Sequence, residues 1–234
     1  MKIKNYIFCA LDFSHLNETI EFTSLIKNYV GGVKLGLEFF MNNGPEGVKT
    51  IKKIGVPIFL DLKLHDIPNT VKKAAENVIK LNPEYLTVHL NGGKRMIEEI
   101  VSIKKNTKII GVSMLTSLDE KDLKSFGLKI TEKKYIQRLT EIGIDAGIDG
   151  VVTSPLEVEM LKNKVQKKFL FVTPGIRLPE NNKNDQKRIA TPGEAIKFGS
   201  SMLVIGRSIT ASKNPIKSIE MILKNIEDHI EGKN

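Results

Sequence analysis

Eight short runs rich in aliphatic and β-branched residues recur along the chain, and each is followed by a stretch with helical periodicity. The runs lie at residues 4–11, 32–37, 57–63, 84–90, 108–115, 149–154, 169–174 and 201–206. Most are apolar along nearly their whole length, which marks strands covered on both faces and therefore a parallel sheet clothed by helices. The segments between them, such as NTVKKAAENVIKLN, TEKKYIQRLTEIGIDAG and NPIKSIEMILKNIEDHI, open on Ser, Thr, Asn or Pro near the first turn, as helix starts do. Eight strand-then-helix units in 234 residues predict one (β/α)8 barrel domain over residues 1–234. An open doubly wound sheet is the alternative, and it requires a different strand count or order.

Composition narrows the function classes. The hydrophobic share of 41% and charged share of 27% are those of an ordinary soluble domain. No apolar run reaches the roughly 18–20 residues that a bilayer requires, and the opening MKIKNYIFCALDF reads as a first strand instead of a signal peptide. A cytoplasmic protein without membrane partners is expected. Cys9 is the only cysteine, so no internal disulfide forms, and its apolar surroundings predict a buried structural thiol. The net charge of +9 comes from 36 basic and 27 acidic residues, of which only five are Arg. These lysines are scattered along helical segments and the chain lacks Trp, so a nucleic-acid surface is not expected. The positive balance favours an anionic small-molecule substrate.

Charge inside the apolar strands is the strongest functional signal. FLDLKLHDIPNTV, residues 59–71, packs Asp61, Lys63 and Asp66 into six positions at the end of the third run. Strand alternation predicts that Asp61 and Lys63 share a face, with Asp66 just beyond in the loop. Asp12 ends the first strand and Lys34 lies in the second. In a barrel the active residues sit at the C-terminal strand ends, where all of these fall. Charges in otherwise buried strands are costly unless paired, so Asp12, Lys34, Asp61 and Lys63 are expected to form one array. A purely structural ion-pair network is the competing explanation, and convergence on one rim weighs against it.

The far end of the chain offers an anion grip. In SMLVIGRSIT the eighth strand gives way to a short helix at Gly206 and Arg207, the barrel region where backbone N–H groups commonly hold phosphate. The preceding segment TPGIRLPENNKNDQKRIATP, residues 173–192, is long, polar and carries three prolines. Loops of that length are usually functional or disordered, and Arg177 and Gln186 within it suit a lid over a bound anion. His65 and His89 lack a convincing metal-ligand set and read as buried or supporting residues. Met41, Met96 and Met114 read as core or interface fillers, and Ser154 as a helix cap.

Taken in order, ALD (10–12), VKLG (33–36), DLKLHDIPNT (61–70), LTS (115–117), TPGIR (173–177) and IGRSIT (205–210) resemble the motifs of the orotidine 5′-phosphate decarboxylase family along essentially the whole chain. The DxKxxD element with HDIPNT around it is highly specific, whereas ALD or IGR alone carries little. The resemblance implies a TIM barrel that converts orotidine 5′-phosphate to UMP and CO2, the last step of UMP biosynthesis, with neither metal nor organic cofactor. It implies a catalytic set of Lys34, Asp61, Lys63 and Asp66, with Lys63 as proton donor to C6. Asp12 and Lys34 would meet the ribose hydroxyls, and Thr116 or the adjacent Ser117 the pyrimidine, with Ile67 and Pro174 also in the substrate site. Arg177, Gln186, Gly206 and Arg207 would hold the phosphate. A homodimer is implied, in which Asp66 and Thr70 complete the partner's site. Two alternatives stand beside this: a Mg2+-dependent barrel of the 3-keto-gulonate 6-phosphate decarboxylase or hexulose-phosphate synthase type, and a non-catalytic binder of nucleotide phosphate. HDIPNT and the long loop carrying Gln186 weigh against the first, the intact lysine–aspartate array against the second.

Overall fold

In a computed structural model, residues 2–165, 168–177 and 190–232 are described. Their elements alternate from end to end: β1 (Ile7–Leu11), α1 (Leu16–Ile26), β2 (Gly32–Leu35), α2 (Leu37–Lys52), β3 (Ile58–Leu64), α3 (Pro68–Ile79), β4 (Tyr85–His89), α4 (Gly93–Val101), β5 (Lys108–Val112), α5 (Glu120–Ser125), α6 (Glu132–Asp145), β6 (Gly150–Val152), α7 (Pro155–Leu161), β7 (Leu170–Thr173), α8 (Pro192–Phe198), β8 (Met202–Ile205), α9 (Arg207–Thr210) and α10 (Pro215–Ile230). The eight strands pair in sequence order and β8 closes on β1, all parallel, so the sheet is a closed barrel. The expected (β/α)8 architecture is the observed one. No described helix is long and apolar enough to cross a membrane.

Strand alternation divides the interior into two cores. Outward residues such as Ile7, Cys9 and Leu11 of β1 pack with Val33, Leu35, Ile58, Leu60 and the buried faces of the helices. Burial, reinforced by Asp12, pushes the Cys9 thiol far above its ordinary value, which keeps it an inert packing group. Inward residues Phe8, Phe59, Ile110, Val172 and Met202 fill the barrel itself. Tyr85 completes this plug, its ring meeting Phe8 at 5.5 Å and Phe59 at 5.8 Å in edge-on geometry. The plug forms an apolar floor beneath the C-terminal rim.

Three local expectations change. Residues 4–6 belong to a 3-10 turn, not to the first strand, which begins at Ile7. Helix α2 starts at Leu37 and is broken at Gly44, whose φ of 57° precedes Pro45, so the helical stretch expected from Gly44 onward does begin there and is preceded by a further one from Leu37. Helix α5, closed by an Asp119–Asp122 capping box, stands between β5 and α6 where only a connection was expected. Ser154 does start α7, its N–H donating to Glu157 Oε2 at 2.8 Å. Met96 and Met114 are buried, while Met41 is 76% exposed on α2.

Candidate active site

The third strand does not run regularly to its end. Leu60 pairs with Leu86 and Leu64 with Val88, so four steps along β3 oppose two along β4, and the extra residues bulge out at Asp61–Lys63. Lys63 takes up the slack with φ 49°, a left-handed conformation that costs a non-glycine residue on the order of 1–3 kcal/mol and clusters at functional sites. Asp61 and Lys63 do converge, but this bulge brings Lys63 round, not plain alternation.

Asp61 is the hub of the site. Its Oδ1 lies 2.8 Å from Lys63 Nζ and its Oδ2 3.3 Å from Lys34 Nζ. Lys34 Nζ also reaches Asp12 Oδ1 at 3.5 Å, which extends the array outward to a side chain 60% exposed. Residue 36 is glycine where this pair forms, and a Cβ there would stand 3.1 Å from Lys34 Nζ and 3.4 Å from Asp12 Oδ1. Burial alone would raise the Asp61 carboxyl. The Lys34 and Lys63 ammonium groups, with hydrogen bonds from Lys63 and Thr87, outweigh it and hold Asp61 below the usual carboxylate range. The array is therefore an ionised ammonium–carboxylate–ammonium chain.

Next to it opens a cavity of ≈ 150 Å³ whose polar wall is Lys34, Asp61, Lys63 and Thr116. Phe59, Val112, Met114, Val152, Val172, Pro174 and Val204 form its apolar wall. The arrangement suits a flat, partly apolar ring with one edge against the ammonium groups, where a low dielectric strengthens each charge. Of the two adjacent hydroxyls, Thr116 lines this cavity, while Ser117 is exposed.

The array does not include Asp66. Asp66, Ile67 and Thr70 are exposed, and Asp66 Oδ1 accepts the Ile67 N–H at 2.6 Å. Among the described residues Asp66 makes no ion pair, so three of the four expected catalytic charges meet within one chain. Gly206 lies between β8 and α9, with Arg207 exposed beside it. Arg177 follows β7, its N–H bonded to Ala190 O at 3.1 Å and its Nη1 to Ile176 O at 2.9 Å. An Ile176–Ala190 bridge thus joins the two ends of the long segment. Gln186 falls outside the described residues.

Two residues beside the array carry no strong sequence signal. Thr87, fully buried on β4, accepts the Lys63 backbone N–H at 2.8 Å and donates to Asp61 Oδ1 at 3.0 Å. A threonine in a strand looks like any β-former, and only the bulge opposite it reveals the contact. His89, at the end of β4, packs its ring 5.3 Å from that of exposed His65. Burial, then His65 and Lys63, lowers the His89 imidazole, so it is neutral at physiological pH. Among the described residues no three His, Cys, Asp or Glu side chains gather as a metal-ligand group.

Fold and rim together define a (β/α)8 barrel built around a buried ammonium–carboxylate network at the usual place for catalysis. Residues 5–222 match the sequence model of the orotidine 5′-phosphate decarboxylase / HUMPS family. A protein named orotidine 5′-phosphate decarboxylase from Wolbachia pipientis subsp. Culex pipiens (strain wPip) is 46% identical over 226 residues, 96% of this chain and 100% of that one. Another of that name, from Dictyoglomus thermophilum, is 40% identical over 237 residues, 97% of each chain. The crystal structure of orotidine 5′-phosphate decarboxylase from Lactobacillus acidophilus matches with a TM-score of 0.84 at 34% identity, covering 94% of this chain and 98% of that one. The chain belongs to the orotidine 5′-phosphate decarboxylase / HUMPS family.

Proposed function

We propose that the protein is a carboxy-lyase that converts orotidine 5′-phosphate to UMP and CO2 without metal or organic cofactor, with Lys63 protonating C6. The observation that carries this reading is Asp61 held between the Lys34 and Lys63 ammonium groups at the wall of a ring-sized cavity. In the reaction the bond from C6 to the carboxylate breaks, CO2 leaves, and the electron pair stays on C6. No carbonyl adjacent to C6 delocalises that pair, so the site must stabilise it electrostatically. A preorganised ammonium beside C6 does so and then transfers its proton to form UMP, after which the Lys63 amine regains a proton from solvent. Asp61 holds the Lys63 ammonium in place.

The remaining residues take the roles that the family resemblance implies. Asp12 and Lys34 meet the ribose hydroxyls, and Thr116 and Pro174 flank the base. Arg177, Gln186, Gly206 and Arg207 hold the phosphate, whose binding energy is remote from C6 and is available for closing and ordering the site. Asp66, Ile67 and Thr70, which are exposed in one chain, complete the site of a second copy. Exposed apolar side chains near the same rim, Leu37 and Met41 on α2 with Ile67 beyond β3, support such a homodimer. Residues 1–234 act as one barrel domain, and the protein works in the cytoplasm.

The Mg2+-dependent alternative is disfavoured by the same geometry. Both Asp61 oxygens face ammonium groups, and that positive surround opposes a divalent cation. The test is to follow the ultraviolet absorbance of orotidine 5′-phosphate with purified protein. Steady conversion to UMP is expected, and an unchanged substrate overturns the reading.

A further inference from the structure

The bulge in β3 leaves a backbone group to satisfy. Where β3 and β4 lose register, the Lys63 N–H has no ladder carbonyl opposite it, and a buried N–H without a partner is strongly disfavoured. Thr87 fills that gap. Its hydroxyl accepts the Lys63 N–H at 2.8 Å and donates to Asp61 Oδ1 at 3.0 Å. The same oxygen receives Lys63 Nζ at 2.8 Å. The bonds close a ring that starts and ends on one residue: Lys63 N–H, Thr87 Oγ1, Asp61 Oδ1, Lys63 Nζ.

We propose that Thr87 is a positioning residue for the reaction, its hydroxyl locking the left-handed backbone at Lys63 to the Asp61 carboxylate and thereby fixing where the Lys63 ammonium stands. The polarity of the ring admits one arrangement. A backbone N–H only donates and an ionised carboxylate only accepts, so the single hydroxyl proton must point to Asp61 and a lone pair to Lys63. Threonine suits the position because its branched Cβ restricts χ1 and holds that orientation in a fully buried setting. Valine has the same shape and supplies neither bond. Serine supplies both with a looser rotor. The role does not extend to touching substrate, because Thr87 is not among the cavity-lining residues.

The inference rests on the reading of Lys63 as proton donor, so its test needs one arm that measures turnover and one that does not. Thr87→Val and Thr87→Ser are purified, with Thr87→Ala replacing the valine variant should that fail to fold. Steady-state kinetics with orotidine 5′-phosphate are combined with UMP affinity and with amide hydrogen exchange at Lys63. Displacing a catalytic group by about an ångström costs on the order of 10²-fold in rate. Thr87→Val is therefore expected to lose roughly 10–100-fold in kcat with KM and UMP affinity nearly unchanged, and to exchange the Lys63 N–H at least tenfold faster. Thr87→Ser is expected to keep kcat and protection close to those of the native protein. Native kcat in Thr87→Val, equal losses in the valine and serine variants, or unchanged Lys63 protection would each overturn the proposal. Absence of turnover in the native protein would instead sink the decarboxylase reading, and the exchange arm alone would then decide the part assigned to Thr87.

Discussion

At the ends of β1, β2 and β3 the rim of this barrel is made of charged side chains that hold one another. At the ends of β7 and β8 it is made of backbone turns and arginines. Lys34 and Asp61 are each 9% exposed and share ion pairs, and Lys63 is locked to the same carboxylate through a strained bulge. Gly206 offers a turn without a side chain, and Arg207 stands exposed beside it. Under the proposed reaction, the contrast follows from what each region would have to do. Stabilising charge that appears on one carbon requires fixed dipoles and ions in a dry place, because reorganising them during the reaction would consume the benefit. Holding a phosphate that is already charged requires reach and donors, which exposed guanidinium and backbone N–H groups supply.

Substitutions that separate the two regions should show different kinetic signatures. The largest effect is expected for Lys63→Ala, which under the proposed reaction removes both the ion beside C6 and the proton donor. Its kcat should fall on the order of 10⁴-fold or more, while UMP affinity measured by calorimetry changes little.

Asp61→Asn comes next, with a kcat loss of roughly 10²–10³-fold and a lowered melting temperature. Two ammonium groups would then face each other without their counter-ion. Breaking a fully buried pair costs about 3–5 kcal/mol, and the 30% exposure of the Lys63 side chain brings the expected loss nearer roughly 2 kcal/mol. This substitution also carries a pH signature. The folded-state pKa of Asp61 lies below its unfolded value, so its contribution is complete above the unfolded pKa, about 4. It is lost as pH falls below that through the lowered folded value. Melting curves between pH 7 and 3 should show the native protein losing stability at the acid end, and Asp61→Asn losing less.

Arg207→Ala should act differently, raising KM by about 10–100-fold with a smaller change in kcat. A fall in kcat as deep as that of Lys63→Ala would erase the distinction between the two regions. The smallest effect belongs to Gly36→Ala. The added methyl meets the flexible end of Lys34 at 3.1 Å, which can give way by a few tenths of an ångström, so kcat/KM should drop less than about tenfold.

Subunit exchange tests the one charge that stands apart. Mixed Lys63→Ala and Asp66→Ala proteins, each inactive alone, should regain part of the native activity if Asp66 serves a second copy's site. No recovery despite proven exchange would place Asp66 outside it.

Much of this could be read from the chain before any coordinates, for identifiable physical reasons. Parallel barrel strands are buried on both faces, so runs such as IFCAL and MLVI announce themselves, and a Lys or Asp inside such a run stands out against its surroundings. That is how Lys34, Asp61 and Lys63 were legible. The bulge at Asp61–Lys63 was not, because register depends on pairing with β4, which local sequence does not carry. Thr87 was invisible for the same reason. The stretch of α2 before Gly44 was not legible, because Gly44 and Pro45 do start a helical stretch of their own and draw the boundary to themselves. Strand spacing already set Asp66 in the loop beyond the array, and only its assignment to a second copy's site entered through family resemblance.

The most direct test sets native protein, exhaustively chelated, beside Lys63→Ala, both saturated with orotidine 5′-phosphate and followed by ultraviolet absorbance. A cofactor-free electrostatic site predicts full turnover by the chelated native protein and none by Lys63→Ala despite bound nucleotide. A chelated native protein that stays inert until Mg2+ is restored, or a Lys63→Ala protein that still turns over, would contradict it.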